Sequence, residues 1–104
     1  MFEKCSETGY TLAMEGMKRK TLVYGDKTLM AEFVMGKGRS LPRHAHPHEQ
    51  IGYLVKGWIR LSIGSEERDM LPGDSWCIPG GTEHGAEILE DSVAVEVFSP
   101  VRED

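Results

Sequence analysis

The sequence predicts an all-β domain, either an antiparallel sandwich or a barrel. Short segments rich in Thr, Val, Ile and Leu recur at intervals of roughly 8 to 12 residues. Gly, Pro and Asp separate them, and no segment has the apolar period of an amphipathic helix of useful length. This spacing predicts about nine or ten short strands. With 104 residues and no linker, the chain is expected to form one domain over residues 1–104.

The first half of the chain is expected to contain an arm, a hairpin and a bent strand. Residues 1–16 have no long apolar period and predict a loose N-terminal arm with one short strand. Strands are predicted at 18–24 and 28–35, joined by a turn at Gly25-Asp26. Two prolines interrupt the segment at 38–50, which favours a bent or edge strand there.

The second half is expected to consist of short strands between strong turn signals. In residues 58–63, apolar side chains alternate with Arg60 and Ser62, which predicts one buried face and one exposed face. Turns or bends are predicted at Lys56-Gly57, Gly64-Ser65, Pro72-Gly73-Asp74 and Pro79-Gly80-Gly81. The strands between them are predicted at 51–55, 58–63, 66–71, 75–78, 83–89 and 93–98.

Composition excludes several classes of partner. Twelve basic and seventeen acidic residues give a net charge of −5, which argues against binding to nucleic acid or anionic lipid. No segment approaches the roughly 18 apolar residues of a membrane span, and the first residues lack a secretory signal, so we expect a cytoplasmic protein. Cys5 and Cys77 lie far apart and predict two reduced thiols. The small core predicts a homodimer.

The chain's four histidines indicate a metal site. His44, His46 and His48 occupy alternate positions, followed by Gln50, and alternate side chains of an extended segment project to the same side. His84 comes from a remote segment, GDSWCIPGGTEHG, where glycines and one proline mark a bend. A histidine on a strand edge is more often an ordinary surface or core residue, but this grouping favours one divalent transition metal ion per chain. Imidazole suits zinc, nickel, iron, manganese and copper, so the ion stays open.

Two residues beside these candidates are ambiguous. His48 has the same parity as His44 and His46, but Pro47 should bend the chain before it, which favours a position at the rim of the site. Glu49 offers a carboxylate that could replace the amide of Gln50 as an oxygen ligand. The sequence alone does not decide between Glu49 and Gln50.

The order and spacing of these residues resemble the two-part signature of the cupin superfamily, over about residues 28–98. The resemblance implies a double-stranded β-helix, or jelly-roll barrel, that holds a metal ion. It also implies that the ligands are His44, His46, Gln50 and His84. Two positions depart from the usual pattern, with Gln50 in place of Glu and Ile88 in place of Asn. The matching positions lie within residues 38–57 and 73–84: Gly38, His44, His46 and Gly57, then Gly73, Pro79, Gly81 and His84.

A closer resemblance extends to the C-terminus. The strings HPHEQIGYLVKG, PGDSWCIPGGTEHG and VEVFSPVRED are similar to the KdgF group of small cupins. That group converts 4,5-unsaturated monouronates into their linear keto form, which implies a small anionic carbohydrate or organic acid as the partner. In that group an acid, a Phe and an Arg near the C-terminus are needed for activity, and these positions correspond to Glu96, Phe98 and Arg102. The acid is normally Asp, so Glu96 is one methylene longer.

The last strand has two interpretations. Parity places Ala94, Glu96 and Phe98 on one face and the three valines at 93, 95 and 97 on the other. The pattern alone slightly favours valines inside the barrel and a solvated Glu96, whereas the resemblance predicts the reverse. An outward Glu96 would favour a non-catalytic module that binds or senses a small sugar or organic acid. An iron-dependent dioxygenase is a third possibility, and Gln50 counts against it, because such iron sites usually include a carboxylate ligand.

Overall fold

The chain forms eight antiparallel strands in a computed structural model that describes residues 1–101. Those residues contain no helix, so the structure has no helix there that could cross a membrane. The predicted all-β class is confirmed. The strands are β1 (Thr11–Met14), β2 (Met17–Tyr24), β3 (Leu29–Met35), β4 (Ser40–His44), β5 (Glu49–Ile63), β6 (Glu66–Met70), β7 (Ser75–Ile78) and β8 (His84–Ser99).

Two of the strands are much longer than the sequence pattern predicts. The turn predicted at Lys56-Gly57 is wrong, because β5 continues through it with register shifts against β8. Gly57 takes a φ of +103°, and a β-carbon there would lie 2.0 Å from Ser92 Oγ. Glycine therefore bends β5 where it crosses β8. The segments predicted at 83–89 and 93–98 likewise form one strand, so residues 1–101 contain eight strands and not nine or ten.

The two long strands divide one continuous eight-stranded sheet into two halves. The first half of β8 pairs with β4 and with the second half of β5, and the second half of β8 pairs with β3 and with the first half of β5. β7 pairs with the first half of β5, and β6 pairs with its second half. A sheet whose two halves share long bent strands is the architecture of a jelly roll, which agrees with the predicted barrel.

Apolar side chains fill the space between the two halves of the sheet. Ile59 and Leu61 of β5 are buried, which confirms the predicted alternation of that segment. A smaller cluster consists of Leu29, Ala31 and Phe98, with Phe33 packed against it. The larger cluster contains Met17, Leu54, Ile59, Leu61, Ile88 and Ala94.

Strand register brings the candidate site together. His44, at the end of β4, lies directly opposite His84, at the start of β8. Gln50, near the start of β5, lies opposite Phe98 of β8 on one side and Ile78 of β7 on the other. The N-terminal arm contains one short strand as predicted, and that strand, β1, pairs with β2.

Candidate metal centre and its cavity

Three of the four histidines converge. One ligand atom from each of His44, His46 and His84 lies within 4.8 Å of the others. The ring centroids of His44 and His84 are 4.3 Å apart, and those of His46 and His84 are 5.0 Å apart. His84 is buried and the other two rings are half-buried. The cluster can therefore hold a metal ion with three imidazoles.

Main-chain carbonyls orient all three rings. Each Nδ1 lies within hydrogen-bonding distance of a carbonyl oxygen two residues away: His44 with Pro42 (3.0 Å), His46 with His48 (3.2 Å) and His84 with Thr82 (2.9 Å). A carbonyl can only accept, so the hydrogen of each ring lies on Nδ1. The Nε2 atoms of the neutral rings then carry the lone pairs that bind metal.

The contacts of the Gln50 side chain indicate whether it and the three histidines suit a cation. Its side chain is 6% exposed, and its Nε2 donates to Glu96 Oε2 at 2.7 Å. Since that contact needs the amide nitrogen, the amide oxygen faces the other way, 3.0 Å from His46 Nε2. The amide oxygen of Gln50 and Nε2 of His46 are both acceptors when the imidazole is neutral and carries its hydrogen on Nδ1. A positive ion beside them removes the conflict, so the residues present fit a bound metal.

The two ambiguous neighbours lie outside the cluster. Glu49 is exposed on the opposite face of β5 from Gln50, so the alternative in which Glu49 supplies the oxygen ligand is wrong. The ring of His48 is not among the three that converge, and its centroid lies 5.6 Å from that of His46. The main-chain carbonyl of His48 instead orients His46.

A cavity of about 410 Å³ adjoins the cluster. This volume suits a small molecule rather than a macromolecule. Its wall is largely apolar, and it includes β1, the arm strand. The polar and aromatic part of the wall includes His44, His84, Gln50, Trp76, Glu96, Phe98, Phe33 and Arg19.

The last strand directs Ala94, Glu96 and Phe98 to the inside of the barrel, as the family resemblance implies. Ala94 and Phe98 are buried, and Glu96 lines the cavity between them. Val95 and Val97 lie on the outer surface, in a shallow groove formed with β5 and β7. The interpretation from pattern alone, with valines inside, is wrong, because β8 is a central strand and its outer face is also apolar. Arg102 lies outside the described residues.

Trp76 and Gly52 complete the surroundings of Glu96, and sequence reasoning missed both. The indole Nε1 of Trp76 donates to Glu96 Oε1 at 2.9 Å. Gly52 lies opposite Trp76 on one side and Glu96 on the other, and a β-carbon there would lie 2.3 Å from the indole. Glycine thus lets the indole cross β5 to reach the carboxylate. A glycine in the middle of a strand was the available signal.

Comparison with known proteins gives the family. A cupin-domain model matches residues 31–100. The chain belongs to the cupin family. This cupin is 33% identical, over 94% of its length and 91% of the relative's, to the pectin degradation protein KdgF of Dickeya dadantii (strain 3937). It is 30% identical to H2HPP isomerase of Bacillus subtilis over 86% of its own length, but spans only 39% of that relative.

Solved structures share the whole fold. KdgF from Halomonas sp. superimposes with a TM-score of 0.92 at 32% identity, covering 98% of this cupin and 96% of that chain. An RmlC-like cupin from Shewanella frigidimarina gives a TM-score of 0.93 at 28% identity, covering 99% and 93%. The jelly-roll cupin fold is therefore established, and the similarity to KdgF extends over almost the entire chain.

Proposed function

We propose that this cupin converts ring-closed 4,5-unsaturated monouronates into their linear keto form. The observation that carries the proposal is a carboxylate, Glu96, that lies in the cavity and contacts Gln50 beside the three-histidine cluster. A proton-transfer group and a metal site thus share one small cavity. The similarity to KdgF, a pectin degradation protein, supports a uronate as the substrate. One of the other relatives is named an isomerase.

His44, His46, His84 and Gln50 would hold one divalent transition metal ion. When bound, the ion supplies Lewis acidity toward a substrate oxygen, and four neutral ligands would leave its charge undiminished. Zinc, nickel, iron, manganese and copper all suit this donor set. The main-chain carbonyls occupy the Nδ1 atoms of the three rings and so leave their Nε2 atoms for the ion.

Glu96 would move one proton in this reaction. Its carboxylate takes the proton of the hydroxyl on the hemiacetal carbon, and the bond from that carbon to the ring oxygen breaks. The electron pair goes to the ring oxygen, so the ring opens to an aldehyde and an enolate. Glu96 then returns the proton to the far carbon of the enolate double bond, which gives the ketone. Atoms and charge balance without an oxidant or reductant.

Three neighbours would assist Glu96. Phe98 is fully buried on the same face of β8 and shields the carboxylate from water. Trp76 and Gln50 each donate to one carboxylate oxygen, which holds the group in one orientation. Arg102, which corresponds to the active-site Arg of the KdgF group, is proposed to attract the anionic substrate.

The cavity-facing Glu96 favours an enzyme over a non-catalytic binding module. An outward Glu96 would have left the cavity without a proton-transfer group, and the carboxylate instead lines it. The oxidising alternative is disfavoured because Gln50, a neutral amide, occupies the position that usually supplies a carboxylate to an oxygen-activating iron.

We further propose that the protein acts in the cytoplasm as a homodimer. Ile51, Tyr53 and Val55 leave about half of their surface exposed on the outer face of β5, next to the outer valines of β8. A second copy could cover this apolar face by a symmetric contact. The mass in solution, measured by light scattering, tests this, and a monomer at micromolar concentration would contradict it.

The function is tested by loss of double-bond absorbance. A polysaccharide lyase supplies 4,5-unsaturated monouronates, and metal-loaded protein is added at several concentrations. The proposal expects the absorbance to fall faster than in buffer, in proportion to protein, with nuclear magnetic resonance identifying the linear keto product. A rate equal to that of the spontaneous reaction with every metal would overturn it.

A further inference from the structure

We infer that Arg19 binds the carboxylate of the substrate and so selects acids over neutral sugars. The inference rests on the proposed function for the identity of the substrate. Within residues 1–101, Arg19 is the one lysine or arginine that lines the cavity next to the histidine cluster. It lies on β2, far along the chain from every motif that marks the metal site.

Strand alternation directs Arg19 to the cavity. Its neighbours Lys18 and Lys20 both lie over the ring of Tyr10, with their Nζ atoms 4.8 and 5.3 Å from its centroid. Successive side chains of a strand point to opposite faces, so Arg19 projects to the other side. The wall of the cavity includes Arg19 and not Lys20.

Arg19 has no acidic partner among the residues that the structure describes. The four ion pairs found there involve Lys37, Arg39, Arg43 and Arg60. The guanidinium of Arg19 lies over the ring of Phe33 instead, 5.8 Å from its centroid. A half-buried guanidinium with an aromatic face on one side still has its donor fork available for an anion.

An aromatic row connects Arg19 with the cluster. Phe33 contacts Phe98 with a centroid distance of 6.4 Å, and Phe98 contacts His46 at 6.2 Å. The wall between the guanidinium and the histidines is therefore apolar. Attraction between opposite charges is stronger beside such a wall than in water, so a carboxylate gains more here than at an exposed arginine.

Arg19 would contact a group of the substrate that does not react. The carboxylate of an unsaturated uronate takes no part in the bond changes of ring opening. If Arg19 holds that group, the ring oxygens remain for Glu96 and the histidine cluster. Arg19 would then be a specificity-determining residue, whose loss weakens binding of acids and leaves binding of neutral sugars unchanged.

The test measures binding of ligands that cannot react. Zinc-loaded wild type, Arg19→Gln and Arg19→Lys are titrated with D-galacturonate and with galactose, its neutral counterpart, by nuclear magnetic resonance. Arg68→Gln is the matched control, because Arg68 is exposed outside the cavity and donates to the main-chain carbonyl of Glu67. Equal zinc content and equal circular dichroism spectra show that the variants are folded.

We expect Arg19→Gln to weaken galacturonate binding by about 10-fold to 100-fold, the usual effect of losing a hydrogen bond to a charged group. Galactose binding stays unchanged, Arg19→Lys recovers part of the loss, and Arg68→Gln behaves as wild type. An Arg19→Gln variant that binds galacturonate as tightly as wild type, or a wild type that shows no preference for the acid, overturns the inference. Because these ligands do not react, a failure of the proposed reaction gives a different pattern, acid-selective binding without turnover.

Discussion

The amide nitrogen of Gln50 donates a hydrogen bond to Glu96 Oε2 at 2.7 Å, and this turns the amide oxygen toward His46. The residue proposed to move the proton therefore orients a residue proposed to bind the metal. The second carboxylate oxygen of Glu96 accepts from Trp76. We therefore expect metal affinity and catalytic rate to be coupled through one carboxylate, and variants of its neighbours should separate the two.

Removal of one imidazole should abolish stable metal binding. In His84→Ala, a buried ligand is lost and two histidines and an amide remain. We expect metal affinity to fall by more than the roughly 10-fold to 100-fold that loss of a group supporting a ligand costs. Elemental analysis after dialysis measures this. Retention of one ion per chain would show that the ion binds elsewhere.

Gln50→Glu should increase metal affinity and lower the rate. The new carboxylate would lie against Glu96, where the amide now donates at 2.7 Å, and two carboxylates so close share a proton. A proton held between them makes Glu96 a poorer base, while the anionic ligand binds a cation more strongly. Metal competition with a chelator measures the first effect and turnover at matched metal content the second. A rate equal to wild type would contradict the prediction.

Trp76→Phe should lower the rate without loss of metal. The change removes the indole N–H that holds Glu96 Oε1, and Gln50 still donates to the other oxygen. A hydrogen bond to a charged group contributes about 1.5–3 kcal/mol, so we expect roughly a 10-fold to 100-fold fall in kcat. The KM for substrate should change little. A fall in metal content to the same degree would show that Trp76 acts only on stability.

Gly52→Ala should destabilise the protein and displace the indole. A β-carbon at position 52 would lie 2.3 Å from Trp76, so the indole must move away from Glu96. Overpacking of this kind costs about 1–3 kcal/mol, seen as a lower Tm. Gly25→Ala is the control, because a β-carbon at position 25 would meet no atom within 4 Å and the φ of Gly25 is not left-handed. Equal Tm values for the two variants would contradict the account.

The sequence predicted the residues of the site better than the lengths of the strands. The alternation of His44 and His46 and the bend before His84 were sufficient to predict three converging imidazoles. The continuity of β5 could not be predicted, because Lys56-Gly57 has the composition of a turn, and only its contact with Ser92 makes it a bend. The local sequence pattern gives no information about such contacts between distant strands.

The orientation of the last strand and the position of Arg19 also depend on contacts between distant strands. Alternation gave the two sets of β8 side chains correctly, but which set faces the cavity depends on β3 and β5, which flank it. Family resemblance supplied that choice. Arg19 lies outside the motifs and Trp76 is not one of their fixed positions, and only strand pairing brings the two residues to the cavity with Glu96.

The most direct measurement of the central claim compares wild type with Glu96→Gln at equal metal content, using lyase-derived 4,5-unsaturated monouronate and the double-bond absorbance. The amide cannot accept a proton as the carboxylate does, so the account predicts a rate about 10²-fold to 10⁴-fold lower in the variant, with a changed pH dependence. A variant that linearises the substrate at the wild-type rate would contradict the assignment of Glu96 and, with it, the proposed mechanism.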